Sequence, residues 1–287
     1  MPAIDRAGAT LSWEEFGSGP AALFVHGGLF DPMTGERFWA TPGVAGDLAA
    51  ACRVLVPDRR CSPGRTTAGF SVHSWEREAE DLAAILDAAG IERAHLVAGS
   101  NGCSAIARLA LSHPERVASL VCCWPAAPTT AALLASFERS AAAVERDGTA
   151  GYLDTLRREG VPRPGEERAG FPFGFALLHD RQMAASFLEC SGTDAARIFR
   201  ETGAALLPGE PIRGLSGEEA ARIGTGGFPV YVMPAEPDDP YHPRAVALAL
   251  RDVIPGAILT AGYPVTPSRF FADARAGFAA TLRGIVG

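Results

Sequence analysis

No stretch of the sequence approaches the roughly 18 uninterrupted apolar residues of a membrane-spanning helix, and Met1 to Phe16 hold no apolar run of signal-peptide length. A cytoplasmic protein without membrane contact is the expectation. Nor is there a basic run that could neutralise a row of phosphates: the formal charge of −7 is spread along 287 residues, which argues against nucleic acid as a partner. The six cysteines, Cys52, Cys61, Cys103, Cys122, Cys123 and Cys190, lack zinc-ligand spacing, so free thiols are expected and no metal or cofactor is called for. Repeats and low-complexity tracts are also absent. The 47% hydrophobic share is enough for one large core.

Short, almost continuously apolar runs are present instead: Ala22 to His26, Val54 to Pro57, His95 to Ala98, Leu120 to Trp124, Val230 to Pro234 and Ala257 to Thr260. Such runs suit strands covered on both faces. Between them lie amphipathic helical patterns, as in Trp75 to Ala89, where Trp75, Ala79, Leu82, Leu86 and Ala89 share a face. Alternation of this kind predicts an α/β fold, a mostly parallel, doubly wound sheet whose sites lie at the strands' carboxyl ends. From 125 to 228 the alternation stops. Helical patterns at Thr130 to Arg146, Thr149 to Glu159, Asp180 to Cys190 and Thr193 to Leu207 follow one another. We read a helical lid inserted between late strands, residues 125–228, on a core of residues 1–124 and 229–287. Aromatic residues of the lid (Phe137, Tyr152, Phe171, Phe173, Phe175 and Phe187), with Phe30 and Trp124 at strand ends, would wall an apolar pocket, although most lid aromatics are expected to be core.

His95-Leu-Val-Ala-Gly-Ser100-Asn-Gly-Cys runs from a strand straight into a helix with small residues around Ser100. Ala98-Gly-Ser-Asn-Gly102 resembles the G-x-S-x-G nucleophile elbow of the α/β-hydrolase family, with Ala in the first small position. Phe24-Val-His26-Gly27-Gly28-Leu29 resembles that family's H-G-G oxyanion loop, and Asp58-Arg-Arg-Cys-Ser-Pro-Gly64-Arg its D-x-R-G-x-G-x-S turn, disturbed by Cys61 and one extra residue. The resemblance implies Ser100 as nucleophile and the N–H groups of Asn101 and of Gly28 or Leu29 as the oxyanion hole, with His26 bracing its loop. It covers most of the chain outside the lid.

The family's order of nucleophile, acid and histidine then fails. Val230-Tyr-Val-Met-Pro-Ala-Glu236-Pro-Asp238-Asp239-Pro-Tyr-His242-Pro243 resembles the acid loop and makes Asp239 the acid, with Asp238 and Glu236 as alternatives; equally, these carboxylates could cap the helix starting near Pro243. The histidine should follow Thr260, but no histidine lies beyond His242. A serine hydroxyl is a poor nucleophile until a base takes its proton, so a short-chain aryl ester is expected to turn over slowly. His242, three residues after Asp239, is the first candidate for a relocated base. His179, in the lid, could hang over the pocket as a base or substrate contact.

Three functions compete. The first is an enzyme using Ser100 and the oxyanion hole, with a non-standard base, on an apolar small-molecule ester, thioester or related acyl compound. The second is a non-hydrolytic lyase, isomerase or cyclase using the same pocket; the third is a ligand-binding pseudo-hydrolase. A homodimer stays open.

Overall fold

The computed structural model describes residues 1–60, 62, 64–162 and 166–287; Cys61, which disturbs the turn after Asp58, lies outside them. At its centre are β3 (Ala21–Val25), β4 (Arg53–Pro57), β6 (Ala94–Ser100), β7 (Val117–Pro125), β8 (Val230–Met233) and the two-residue β9 (Ile258–Leu259). All pair in parallel, in the order β4-β3-β6-β7-β8-β9. Each corresponds to one of the apolar runs. The sheet extends past β4 by an antiparallel edge, β2 (Ala9–Phe16) and β1 (Ala3–Arg6), with the short β5 (Thr67–Ala68) also on β2. This edge has no continuous apolar run and was not legible in the sequence.

Residues along a strand point alternately to opposite faces, so one set of strands can feed two cores. Leu23, Val25, Leu96, Ala98, Leu120 and Cys122 face one cluster, shared with helices α2 (Trp75–Ala88), α3 (Gly102–Ser112) and α9 (Arg244–Val253). Phe24, Val54, Val97, Val121 and Cys123 face the other, closed by α1 (Val44–Leu48), α10 (Phe271–Val286) and the short turn bearing Phe38 and Trp39. Helices on both faces leave the carboxyl-terminal edge of the strands as the open rim.

Between β7 and β8 the described residues form helices only: α4 (Ala131–Glu159), α5 (Gly174–His179), α6 (Arg181–Glu189), α7 (Gly192–Leu206) and α8 (Gly217–Ile223). Gly148, at φ 68°, breaks α4 between its two sequence-read halves. Thr130, Asp180 and Ser191 accept backbone N–H bonds at the starts of α4, α6 and α7. Phe137, Tyr152, Phe173, Phe187 and Phe199 from these helices and their links join Phe30 and Phe70 in the first core. The rings pack edge-on; Phe30 lies 4.5 Å from Phe173 and 6.0 Å from Phe171 between centroids. Five cysteines, Cys52, Cys103, Cys122, Cys123 and Cys190, are free, and Cys190 alone of these is not buried.

Candidate active site

Ser100 ends β6 at a left-handed φ of 56°, and α3 begins two residues later. A non-glycine residue at positive φ is strained, and here the strain lifts the serine clear of the sheet. The space around it explains the small neighbours. A β-carbon at Gly102 would lie 2.6 Å from the His26 carbonyl oxygen, and one at Gly27 would lie 2.7 Å from Ser100 Cβ. The Gly27-Gly28 loop therefore runs directly against the nucleophile turn. Gly28 itself has φ 85°, and a β-carbon there would collide with Asp31. Asn101 is the N-cap of α3, at the helix end where backbone N–H groups lack intrahelical partners.

Behind the loop sits a buried charge network. His26 accepts from the Arg59 backbone N–H at 2.9 Å and donates from Nδ1 to the Gly27 carbonyl at 2.6 Å. Burial, reinforced by the Arg59 charge, lowers its pKa to about 4, so the ring is neutral, and with both nitrogens engaged it braces the loop. Arg59 clamps the loop further, donating from Nη1 to the Gly28 carbonyl at 2.9 Å, while Glu78 holds its guanidinium at 2.6 and 2.7 Å. His73 Nε2 also donates to Glu78, at 2.5 Å. The carbonyls of residues 26–28 thus all turn toward Arg59. Asp58 is structural, accepting from the backbone N–H groups of Gly35 and Arg65 at 2.8 Å each.

The loop after β8 completes the arrangement. His242 Nε2 lies 2.8 Å from Ser100 Oγ, and its Nδ1 lies 3.0 Å from Asp239 Oδ1. A carboxylate can only accept, so Nδ1 carries the proton and Nε2 is left to accept from the serine hydroxyl. Asp239 also accepts from the backbone N–H groups of Tyr241 at 2.8 Å and His242 at 3.1 Å, which fixes acid and imidazole within one tight turn. The two readings of the acidic residues divide between neighbours: Asp238 accepts from the Arg244 N–H at 2.6 Å and caps α9, whereas Asp239 turns to the histidine. Glu236 is exposed, 3.8 Å from Arg244. Where the family's histidine would stand, Tyr263 packs on Phe278 and bonds Gly277 and Thr281. Asp239→Ala is expected to lower kcat/KM for an aryl ester by roughly 10²- to 10⁴-fold, while Asp238→Ala costs about 0.5–2 kcal/mol of stability with little loss of rate. Steady-state kinetics and thermal unfolding of both variants check this.

Two substrate contacts expected from the sequence are corrected. Trp124 is 0% exposed and joins the second core, with its ring stacked 5.2 Å from Phe278 and its Nε1 donating to the Tyr263 carbonyl at 2.7 Å. A left-handed φ of 49° interrupts the strand alternation and sends the ring to the α10 face. His179 is exposed and stacks on Phe175 at 4.2 Å, on a surface groove of about 270 Å³ shared with Asp58 and Arg65. It does not join Ser100. Phe30 does face the helical insertion, but at 2% exposure its ring is covered by Phe137, Phe171 and Phe173.

One residue escaped the sequence reading. Arg213, in the link between α7 and α8, donates from Nη1 to the Asn101 side-chain oxygen at 2.6 Å. Burial lowers the pKa of His242, Asp239 raises it again, and the Arg213 charge adds to the lowering.

Residues 20–208 match the family model described as alpha/beta hydrolase fold. The chain belongs to the α/β-hydrolase fold family. Over 124 residues this family member is 31% identical to a 2-hydroxy-6-oxo-6-phenylhexa-2,4-dienoate hydrolase of Comamonas testosteroni, covering 42% of each chain. It is 37% identical over 112 residues to a pimeloyl-[acyl-carrier protein] methyl ester esterase of Aeromonas hydrophila, covering 39% of this chain and 40% of that one. The chain thus spans about two-fifths of the length of these relatives. A thermophilic esterase from Thermogutta terrifontis superposes over 100% of both chains with a TM-score of 0.63 at 18% identity. A meta-cleavage product hydrolase from Pseudomonas fluorescens IP01 superposes over 100% of this chain and 96% of its own with a TM-score of 0.61 at 19% identity. At such identities these structures share the fold. The family match ends before Arg213, Asp239 and His242, so that loop is read from its own geometry. Among the described residues no helix is long and apolar enough to cross a membrane.

Proposed function

We propose that the protein is a serine hydrolase of small acyl compounds, esters or thioesters, working through Ser100, a relocated His242 and Asp239. The observation that carries this reading is the 2.8 Å approach of His242 Nε2 to Ser100 Oγ, with Asp239 on the opposite ring nitrogen. Ser100 Oγ attacks the acyl carbon as its proton passes to Nε2, and Asp239 stabilises the imidazolium. Negative charge on the carbonyl oxygen falls to the N–H groups of Asn101 and of Gly28 or Leu29. Collapse expels the leaving group, which takes the proton from Nε2. Water, deprotonated by the same nitrogen, then releases the acid and restores Ser100. The hydrolase and esterase relatives support this class of reaction. The non-hydrolytic and non-catalytic alternatives drew on a missing base, and a ring within hydrogen-bond reach of Ser100 removes that motive.

The slow turnover anticipated from the empty position after Thr260 therefore gives way to a faster expectation. An aryl butyrate should show a burst of one phenol per chain followed by steady turnover, read by absorbance, and no release above the buffer rate would refute the proposal. The base must be unprotonated, and its pKa lies below the ordinary value of about 6.5. Activity should persist as pH drops beneath 6.5 and fall only as pH passes through the shifted value; an acid limb centred above 6.5 in kcat/KM would contradict burial as the dominant influence on the ring.

A further inference from the structure

Arg213 is a mostly buried cation without a counter-ion among the described residues. Its Nε–H is buried with no acceptor, no carboxylate pairs with its guanidinium among the described residues, and its one side-chain partner is the neutral amide oxygen of Asn101. Desolvating a charge is costly, and folded proteins normally offset that cost with an opposite charge. The arginine is nevertheless held firmly. The link that bears it is pinned by Trp75 Nε1 donating to the Leu206 carbonyl at 2.8 Å, by Thr129 donating to the Leu207 carbonyl at 2.6 Å, and by Arg108 on the Gly214 carbonyl. Gly214, at φ 71°, lies flush against the Trp75 indole, where no side chain would fit. The arginine so braced sits beside Asn101, the residue after Ser100, and its charge acts on His242.

We propose that Arg213 is an anion-recognition residue and that the substrate carries a carboxylate, received by the Arg213 guanidinium beside the scissile acyl group. This deepens the hydrolase reading and rests on it. A carboxylate there would neutralise the partly buried charge through the planar guanidinium, a geometry that ammonium does not offer. Turnover would then favour acyl compounds with a second, free acid group over their neutral isosteres.

Two measurements test it. In the first, the Ser100→Ala protein is titrated calorimetrically with monomethyl glutarate and with dimethyl glutarate, which removes turnover from the comparison. The monoanion should bind roughly 10- to 100-fold tighter, and adding Arg213→Gln should erase the preference while Arg213→Lys retains part of it. In the second, the active protein is offered an aryl hemiglutarate, a carboxyphenyl butyrate and a neutral aryl butyrate. At least one anionic ester should be preferred in kcat/KM, through KM, and the ratio should collapse in Arg213→Gln. A purely structural role for Arg213 would depress all three esters together and leave the ratio unmoved. Equal affinity for monoanion and diester, no binding of either, or a preference that survives Arg213→Gln overturns the proposal. Anion preference in the titration without turnover of any ester would instead leave Arg213 standing and bring down the hydrolase reading.

Discussion

Replacing His242 by alanine is expected to lower kcat/KM for an activated ester by roughly 10⁴-fold or more, about as much as replacing Ser100. If the two side chains, 2.8 Å apart, act as one unit, the double variant should be little worse than either alone. Exposed His179, stacked on Phe175, serves as the control; its replacement should change the rate little. Full losses multiplying in the double variant would show that Ser100 and His242 contribute separately. A His242→Ala protein of near-normal rate would return the base to another residue.

The second large effect concerns stability. Glu78 is 2% exposed and neutralises Arg59, itself buried, through bonds of 2.6 and 2.7 Å. The Arg59 guanidinium holds the Glu78 carboxyl well below the usual carboxylate range against the opposing effect of burial. Glu78→Gln removes the carboxylate from this buried pair, which should cost about 3–5 kcal/mol and lower Tm by roughly 6–20 °C. Because Arg59 also fixes the Gly28 carbonyl, the variant should lose rate even at temperatures where it stays folded. Glu80→Gln, which disturbs only exposed pairs with Arg6 and His113, should stay within about 0.5 kcal/mol of the parent. Thermal unfolding of the two variants side by side makes the comparison; matching Tm values would mean that the buried pair contributes nothing beyond a surface one.

The nucleophile turn was legible because its constraint is local. A left-handed serine between strand and helix admits only small neighbours, and Gly99 and Gly102 write that requirement into adjacent positions. The Asp239 and His242 pair was legible as a spacing but not as a geometry: whether a histidine beside a helix start faces solvent or serine depends on the turn that Asp239 closes by accepting two backbone N–H groups. Trp124 was misplaced because its position at a strand end was taken to set its facing, whereas its left-handed backbone turns the ring to the α10 side. His179 was misplaced because α5 is a single short helix whose facing the sequence pattern does not set. Arg213 left no trace, since it sits in a link without periodicity and its meaning comes from Asn101, 112 positions away. Pairing between distant segments is what a single sequence conceals.

The central claim is that His242 activates Ser100, and a fluorophosphonate probe reads that activation directly. Intact-mass and peptide analysis should find one adduct per chain, located on Ser100, forming far more slowly in the His242→Ala protein than in the parent. An unlabelled Ser100 in the folded parent, or labelling at the same rate without His242, would contradict it.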